Sequence, residues 1–362
     1  MKALVKYESG VGHVALREVA EPSCGDDQVK IEVSYCGVCG TDLHVYEDTF
    51  RNYPPVILGH EFSGHVVELG KNVRHVALGD PVAVLPASAV VCGGCVFCRT
   101  GHFMFCAERR GMGHGINGAF ARYAVVRKDQ AYKVPQELSL AEAALSEPFA
   151  AAVQAVTELT NVRLGDVALI SGPGPMGLLC LKLLVAEGIK AIVAGTSEDA
   201  LRLETARRIG ASVIVDTNRQ DLSTVVAEET RGAGVDVAFE CAGAATSARN
   251  CLRALKPLGQ YTQVGIFGRE VSLEFDLIFF KQLRVAGSVG YTVSTWERLQ
   301  KILDQRAVRL DDLITHTMPL EQWREAFDLC LNKQAIKVLL SPRINKTITF
   351  KKKDQPRMTR TV

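Results

Sequence analysis

Residues 91–106, VCGGCVFCRTGHFMFC, hold Cys92, Cys95, Cys98 and Cys106. The spacing Cys-x2-Cys-x2-Cys-x7-Cys, with Gly93, Gly94 and Gly101 to let the loop curl, offers four thiolates to one tetrahedral ion. That is the pattern of a closed structural zinc site. An iron–sulfur ligand run also clusters cysteines, but its usual spacing and following proline are absent. Four protein ligands leave no open coordination position, so this cluster reads as structural rather than catalytic. The chain has eleven cysteines, an odd number, and a chain expected in the reducing cytoplasm makes disulfides a poor explanation for them. Cys24, Cys36, Cys180, Cys241, Cys251 and Cys330 lie in apolar contexts and read as small buried hydrophobes.

A second set of residues has different chemistry. YCGVCGTDLH carries Cys39, Thr41, Asp42 and His44, and VILGHEFSG carries His60 and Glu61 after a glycine turn. Mixed sulfur, nitrogen and oxygen donors with spare coordination mark catalytic zinc. Asp42 reads as a residue that orients a zinc-bound histidine. A third set, ISGPGPMG, places Gly172, Gly174 and Gly177 in the spacing G-x-G-x-x-G, with Pro175 and Met176 between the last two. The motif follows a short buried strand and opens an apolar helix, which is the setting of a dinucleotide pyrophosphate at a helix N-terminus. The other histidines, His13, His65, His75, His102, His114 and His316, read as structural or surface residues.

These sets need elements to hold them. Up to about residue 152, alternating apolar and polar runs such as DQVKIEVSYCGVCG, HEFSGHVVELG, GDPVAVLP and FARYAVVR predict twisted antiparallel strands. From about 153, strands (DVALISG, KAIVAG, SVIVD, VDVAFECAG, GQYTQVG, RVAGSVG) alternate with helices, which predicts a parallel sheet. At 362 residues the chain has room for two domains. An apolar fraction of 47% with 23% charged residues suits a globular chain with a sizeable core. No apolar run reaches the ~18 residues a bilayer span requires, and the start MKALVKYESG has no apolar stretch of a leader, so the expected location is the cytoplasm with no membrane partner. A net charge of +2 gives the whole chain no electrostatic reason to seek nucleic acid. The local exception is the basic, polar tail 343–362, expected to be a solvated terminus.

GVCGTDLH, GHEFSG, the four-cysteine lobe, SEPFA, GPGPMG and the ending AIKVLLSP, in this order, resemble the zinc-dependent medium-chain alcohol dehydrogenases, in particular the sorbitol (L-iditol) and threonine dehydrogenase branch. The resemblance runs from residue 1 to about 342. It implies an α/β protein: a GroES-like, mostly-β catalytic domain of residues 1–152 and 289–342, with a Rossmann doubly wound parallel-sheet nucleotide domain of residues 153–288 between them. It implies one catalytic and one structural zinc ion per chain. Cys39 and His60 would be catalytic ligands and the third ligand Glu61 or Glu147, an acid standing in SEPFA where other alcohol dehydrogenases place a cysteine. Thr41 and His44 would pass the substrate proton to solvent. The implied activity is hydride transfer between a secondary alcohol, of the polyol type, and NADP or NAD. Threonine or a vicinal diol are the alternative substrates, and a non-catalytic, crystallin-like relative is the alternative of another class. Relatives assemble as dimers or tetramers, so a homo-oligomer, a tetramer, is expected.

Two stretches depart from the branch. The second strand of the nucleotide fold ends in Gly195, Thr196 and Ser197, without the acid that normally binds the adenosine ribose. Thr196 and Ser197 can donate to a 2′-phosphate and Arg202 could reach it, which favours NADP, while Glu198 and Asp199 keep NAD open. In GSVGYTVSTW, Gly290 and Tyr291 stand where sorbitol-type relatives often carry an Arg-Tyr pair, so a substrate-binding guanidinium is missing there.

Overall fold

Residues 1–343 and 348–349 are described by the computed structural model. The chain opens with β1 (Lys2–Lys6) and β2 (Val14–Glu18), an antiparallel pair. The ten-residue β3 (Gln28–Gly37) follows, and its Val29, Ile31 and Val33 are wholly buried. After it come α1 (Gly40–Tyr46), β4 (Val56–Ile57), β5 (Glu61–Leu69) and β6 (Pro81–Val84). The cysteine lobe contains the short α2 (Val96–Arg99), and the chain returns through β7 (Tyr123–Arg127) and β8 (Ala131–Lys133). Two helices, α3 (Leu140–Ala143) and α4 (Ser146–Val153), lead out of this half.

Strand and helix then alternate: β9 (Val167–Ser171), α5 (Pro175–Ala186), β10 (Lys190–Gly195), α6 (Ala200–Ile209), β11 (Val213–Asp216), α7 (Leu222–Thr230), β12 (Val235–Glu240), α8 (Ala245–Ala254), β13 (Leu255–Gln263), α9 (Asp276–Phe280) and β14 (Arg284–Gly287). The six strands form one parallel sheet in the order β11-β10-β9-β12-β13-β14. This is the doubly wound Rossmann order, in which the chain leaves β9 for one side of the sheet and comes back to β12 on the other. The crevice at that switch point is where such sheets bind ligands. The central strands are apolar almost throughout because helices cover both faces.

The chain closes with α10 (Val293–Asp304), β15 (Ile314–Pro319), α11 (Trp323–Leu331), β16 (Lys337–Ser341) and β17 (Ile348–Thr349). Here β16 pairs antiparallel with β3, Leu339 opposite Gly37 and Leu340 opposite Cys36, so both ends of the described chain share one sheet, β17-β15-β16-β3-β5-β6-β8, with β7 also on β3. The fold therefore has the expected class, a mostly-β part built from both chain ends and a Rossmann sheet from the middle. The tail expected at 343–362 lies largely outside the described residues. Ile348 and Thr349, however, form a strand against Thr317 and His316 rather than a loose terminus.

Candidate active site

Cys39 sits at the N-terminus of α1 with extended backbone, so its thiol projects from the mouth of the β3–α1 turn. Asp42, one turn on and buried, accepts from the Cys39 N–H at 2.9 Å and from the Gly59 N–H at 3.2 Å. It thereby ties together the two segments that carry the candidate ligands. Its Oδ1 lies 3.9 Å from His60 Nδ1, too far for a hydrogen bond, so the carboxylate orients the histidine mainly through backbone. Gly59 has φ +88°, and a Cβ there would meet Cys36 Sγ and the Phe120 ring at 2.8 Å, so the turn that presents His60 requires glycine.

The ligand atoms of Cys39, His60 and Glu61 all lie within 4.8 Å of one another. Glu61 is completely buried and receives two hydrogen bonds from Lys337 Nζ, at 2.7 and 3.0 Å; the same ammonium donates to the Val38 carbonyl at 3.1 Å. Glu147, in the first turn of α4, accepts from the Tyr291 hydroxyl at 3.1 Å. It is not part of the three-atom cluster. Burial disfavours the His60 imidazolium, yet the Cys39 thiolate, Asp42 and Glu147 together hold its pKa well above the ordinary value. Burial also raises the pKa of Glu147, against the pull of His60. A half-buried thiol and imidazole gathered against a buried carboxylate form a donor set that fits a zinc ion.

The relay residues expected beside this cluster are on α1. Thr41 is half-buried in its first turn and His44 half-buried in its last, with Nδ1 3.2 Å from Thr49 Oγ1. The lobe brings the sulfurs of Cys92, Cys95, Cys98 and Cys106 within 4.8 Å of one another. Backbone N–H groups of Cys95 and Gly94 pull the Cys92 thiol down to about 7, toward the thiolate a metal needs.

At the nucleotide end, Gly172 has φ +104°, and a Cβ on Gly177 would lie 2.1 Å from the Gly172 carbonyl oxygen, so turn and helix touch as the motif requires. Gly174 opens onto free space, Pro175 is the first residue of α5 and Met176 the second. The hydroxyls expected to face a phosphate are already donating: Thr196 to Asp199 at 2.8 Å and Ser197 to Asp216 at 2.6 Å. Arg202 is turned toward the Ala335 carbonyl at 3.2 Å and Asp199 at 3.5 Å.

Sequence reasoning missed Lys337, Arg109, Met104 and His114. A lysine inside the apolar run AIKVLLSP was the one signal for Lys337, since a fully buried ammonium needs a buried acid. His114, read as structural or surface, lies beside Arg109 and near His60, and burial with those neighbours pushes it down to about 4. A Cβ on Gly290 would meet Met104 Cγ at 2.6 Å, so the lobe's Met104 fills the space above that glycine.

Known proteins resemble this chain over nearly its whole length. Residues 25–136 match the alcohol dehydrogenase GroES-like domain family and residues 175–305 the zinc-binding dehydrogenase family. The chain is 38% identical over 343 residues to a sorbitol dehydrogenase of Halalkalibacterium halodurans, covering 94% of this chain and 99% of that one. It is 37% identical over 342 residues to a D-arabitol-phosphate dehydrogenase of Enterococcus avium, covering 94% and 97%. Among solved structures, a Sinorhizobium meliloti protein bound to NADP superposes with a TM-score of 0.85 at 32% identity, over 94% of this chain and 99% of that one. The 2R,3R-butanediol dehydrogenase of Bacillus subtilis does so with 0.84 at 30% identity, with the same coverage. The chain belongs to the zinc-binding, medium-chain alcohol dehydrogenase family and is an oxidoreductase of that family.

Proposed function

We propose that the protein oxidises a secondary alcohol of the polyol type to the ketone, with a nicotinamide dinucleotide as hydride acceptor and zinc as the catalytic ion. The observation that carries this is the cluster of the half-buried Cys39 and His60 with the buried Glu61, whose ligand atoms lie within 4.8 Å of one another. These three would hold the ion, and Glu147, which accepts a hydrogen bond from Tyr291, would be the alternative third ligand. When bound, zinc lowers the pKa of the substrate hydroxyl. The hydride leaves the carbinol carbon for nicotinamide C4, and the hydroxyl proton departs through Thr41 and the half-exposed His44 to solvent. Cys92, Cys95, Cys98 and Cys106 would hold a second, structural ion.

The polyol reading is supported by the names of the sorbitol and arabitol-phosphate relatives. Threonine dehydrogenases, such as that of Pyrococcus horikoshii at 35% identity, support a hydroxy amino acid as the second reading. For the acceptor, Asp216 at the end of β11 pairs in register with Gly195 and puts a carboxylate close to where the missing acid of β10 would stand. With Glu198 and Asp199 alongside, this supports NAD; the NADP of the Sinorhizobium relative supports the second reading. The catalytic part would comprise residues 1–152 and 289–342, and the nucleotide part 153–288.

For assembly, the sheet ends at β14, and Phe275, Phe279, Phe280, Val285 and Val289 are exposed around that edge. An edge of this composition suits a second copy of the chain, on the way to a tetramer. No helix among the described residues is long and apolar enough to cross a membrane, and an exposed Cys92 and the absence of disulfides among the described residues suit the cytoplasm. Elemental analysis together with a rate panel of polyols, threonine and butanediol against NAD+ and NADP+ tests the reading. Two zinc ions per chain and turnover of a polyol are expected. One ion and no alcohol oxidation would indicate the non-catalytic relative.

A further inference from the structure

The four-cysteine lobe carries more than its metal. Three residues beyond Cys106, Arg109 lies half-buried and within electrostatic reach of Tyr291 and Glu147. Its Nε donates to the Ala87 carbonyl at 3.1 Å, which fixes the plane of the guanidinium. Among the described residues its Nη groups make no hydrogen bond, and no carboxylate pairs with it. A half-buried guanidinium with one nitrogen anchored and no acid partner leaves its charge available to a ligand.

Its surroundings are of the same sign. Arg51 and Arg110 both lie over the Tyr53 ring, with guanidinium carbons 5.1 and 4.4 Å from its centroid, and neither forms an ion pair among the described residues. The Tyr53 N–H donates to the His114 carbonyl at 2.9 Å, which joins this segment to the lobe beside Arg109. A cavity of about 660 Å³ opens there, lined by Asn52, Tyr53, Arg110 and Asn117 among others. Glu108, the acid next in sequence, is exposed and pairs with none of the three arginines.

We propose that Arg109 is a substrate-orienting residue and that the substrate is an anionic alcohol, a polyol bearing a phosphate or carboxylate group, guided in past Arg51 and Arg110. The proposal rests on the alcohol oxidation argued above and narrows its substrate. Gly290 brings no donor to the pocket, and Met104 closes the space over it, so the polar grip on the far end of the substrate comes from the lobe. Arginine suits the task because its planar fork matches two oxygens of one anionic group.

The test uses the zinc-loaded enzyme with matched substrates: a pentitol or hexitol, its terminal phosphate ester, and the corresponding aldonate. The ester or the aldonate is expected to exceed the neutral polyol in kcat/KM, and which of them leads separates phosphate from carboxylate. Arg109→Gln should reduce the ratio of anionic to neutral kcat/KM roughly 10- to 150-fold, chiefly through KM, as expected for loss of a charged hydrogen-bonding pair. Arg109→Lys should recover part of that ratio. The double variant Arg51→Gln/Arg110→Gln should lower it less and flatten its dependence on salt. Calorimetric titration with inorganic phosphate, which needs no turnover, should show binding to the unmodified protein and about tenfold weaker binding to Arg109→Gln. A wild-type preference for the neutral polyol, or an Arg109→Gln variant that weakens all substrates equally, would overturn the assignment. If no alcohol is oxidised, the proposed function fails, and the phosphate titration still decides the fate of Arg109.

Discussion

Replacing Lys337 with methionine keeps most of the stem and removes the ammonium, which isolates a single interaction. In the native protein that ammonium makes two hydrogen bonds to Glu61 and one to the Val38 carbonyl, with both charged side chains at most 3% exposed. Glu61 would be left as a buried carboxylate without a cation, and the Val38 carbonyl without a donor. One-sided removal of a buried pair costs about 3–5 kcal/mol, because the remaining charge stays desolvated. For a cooperative unit of this size each kcal/mol shifts the midpoint by about 2–4 °C, so metal-stripped Lys337→Met should melt roughly 6–20 °C below the stripped parent. Adding Glu61→Gln removes the orphaned charge and should restore more than half of the loss. Thermal and urea unfolding of the four proteins gives the coupling directly. A loss below about 1 kcal/mol for Lys337→Met, or additive losses in the double variant, would refute the argument that the pair is held by mutual neutralisation. The pH range adds a check of sign. Glu61 raises the Lys337 pKa above its ordinary value even though burial opposes the charge. The pair's contribution is therefore fully present below the unfolded lysine pKa, near 10.4, and fades only as pH rises beyond it.

Cys106→Ser should lose one of two zinc ions per chain and melt earlier, since metal binding to the closed thiolate site is coupled to folding of the lobe; elemental analysis beside calorimetry reads it, and full zinc content at wild-type stability would contradict the site. Tyr291→Phe leaves the half-buried Glu147 carboxyl without its 3.1 Å donor and should cost about 0.5–1.5 kcal/mol in stability, with a lower kcat at saturating acceptor; unchanged melting and kcat would mean that the hydrogen bond contributes nothing. Asp216→Asn removes the charge that holds Ser197 and should raise the NADP+ to NAD+ ratio of kcat/KM by about fivefold or more; a constant ratio would place the 2′-position elsewhere.

The four-cysteine cluster was legible because its spacing is local. Cys92, Cys95, Cys98 and Cys106 need only one loop to meet, and the sequence shows that loop whole. The Rossmann order was legible for a related reason: strand and helix patterns alternate at short range, and such chains have few ways to wind. What pairs with what across the fold was not legible. Glu61 and Lys337 are 276 positions apart and meet because β16 lies beside β3, a register that no local pattern in AIKVLLSP announces. The reading of Thr196 and Ser197 as free donors met the same obstacle. Thr196 donates to Asp199 three residues on, but the partner of Ser197, Asp216, closes the next strand, and only the parallel pairing of β10 with β11 sets it opposite Gly195.

The lobe shows what that obstacle hides from a motif. Read as a motif, its four cysteines are a metal clip remote from the chemistry, and a closed site has no other role to offer. In three dimensions the clip holds Met104 two residues before Cys106 and Arg109 three residues after it. One packs over Gly290, and the other comes within electrostatic reach of Tyr291 and Glu147. A loop of this length, with a 3-10 turn and half-exposed aromatics in place of a core of its own, has little besides the metal to fix its shape. A structural ion held by the four cysteines would thus make the position of the pocket wall definite. Side chains that grip a substrate must sit within a fraction of an ångström of the right place. A metal clip meets that demand on a surface loop where packing alone would not.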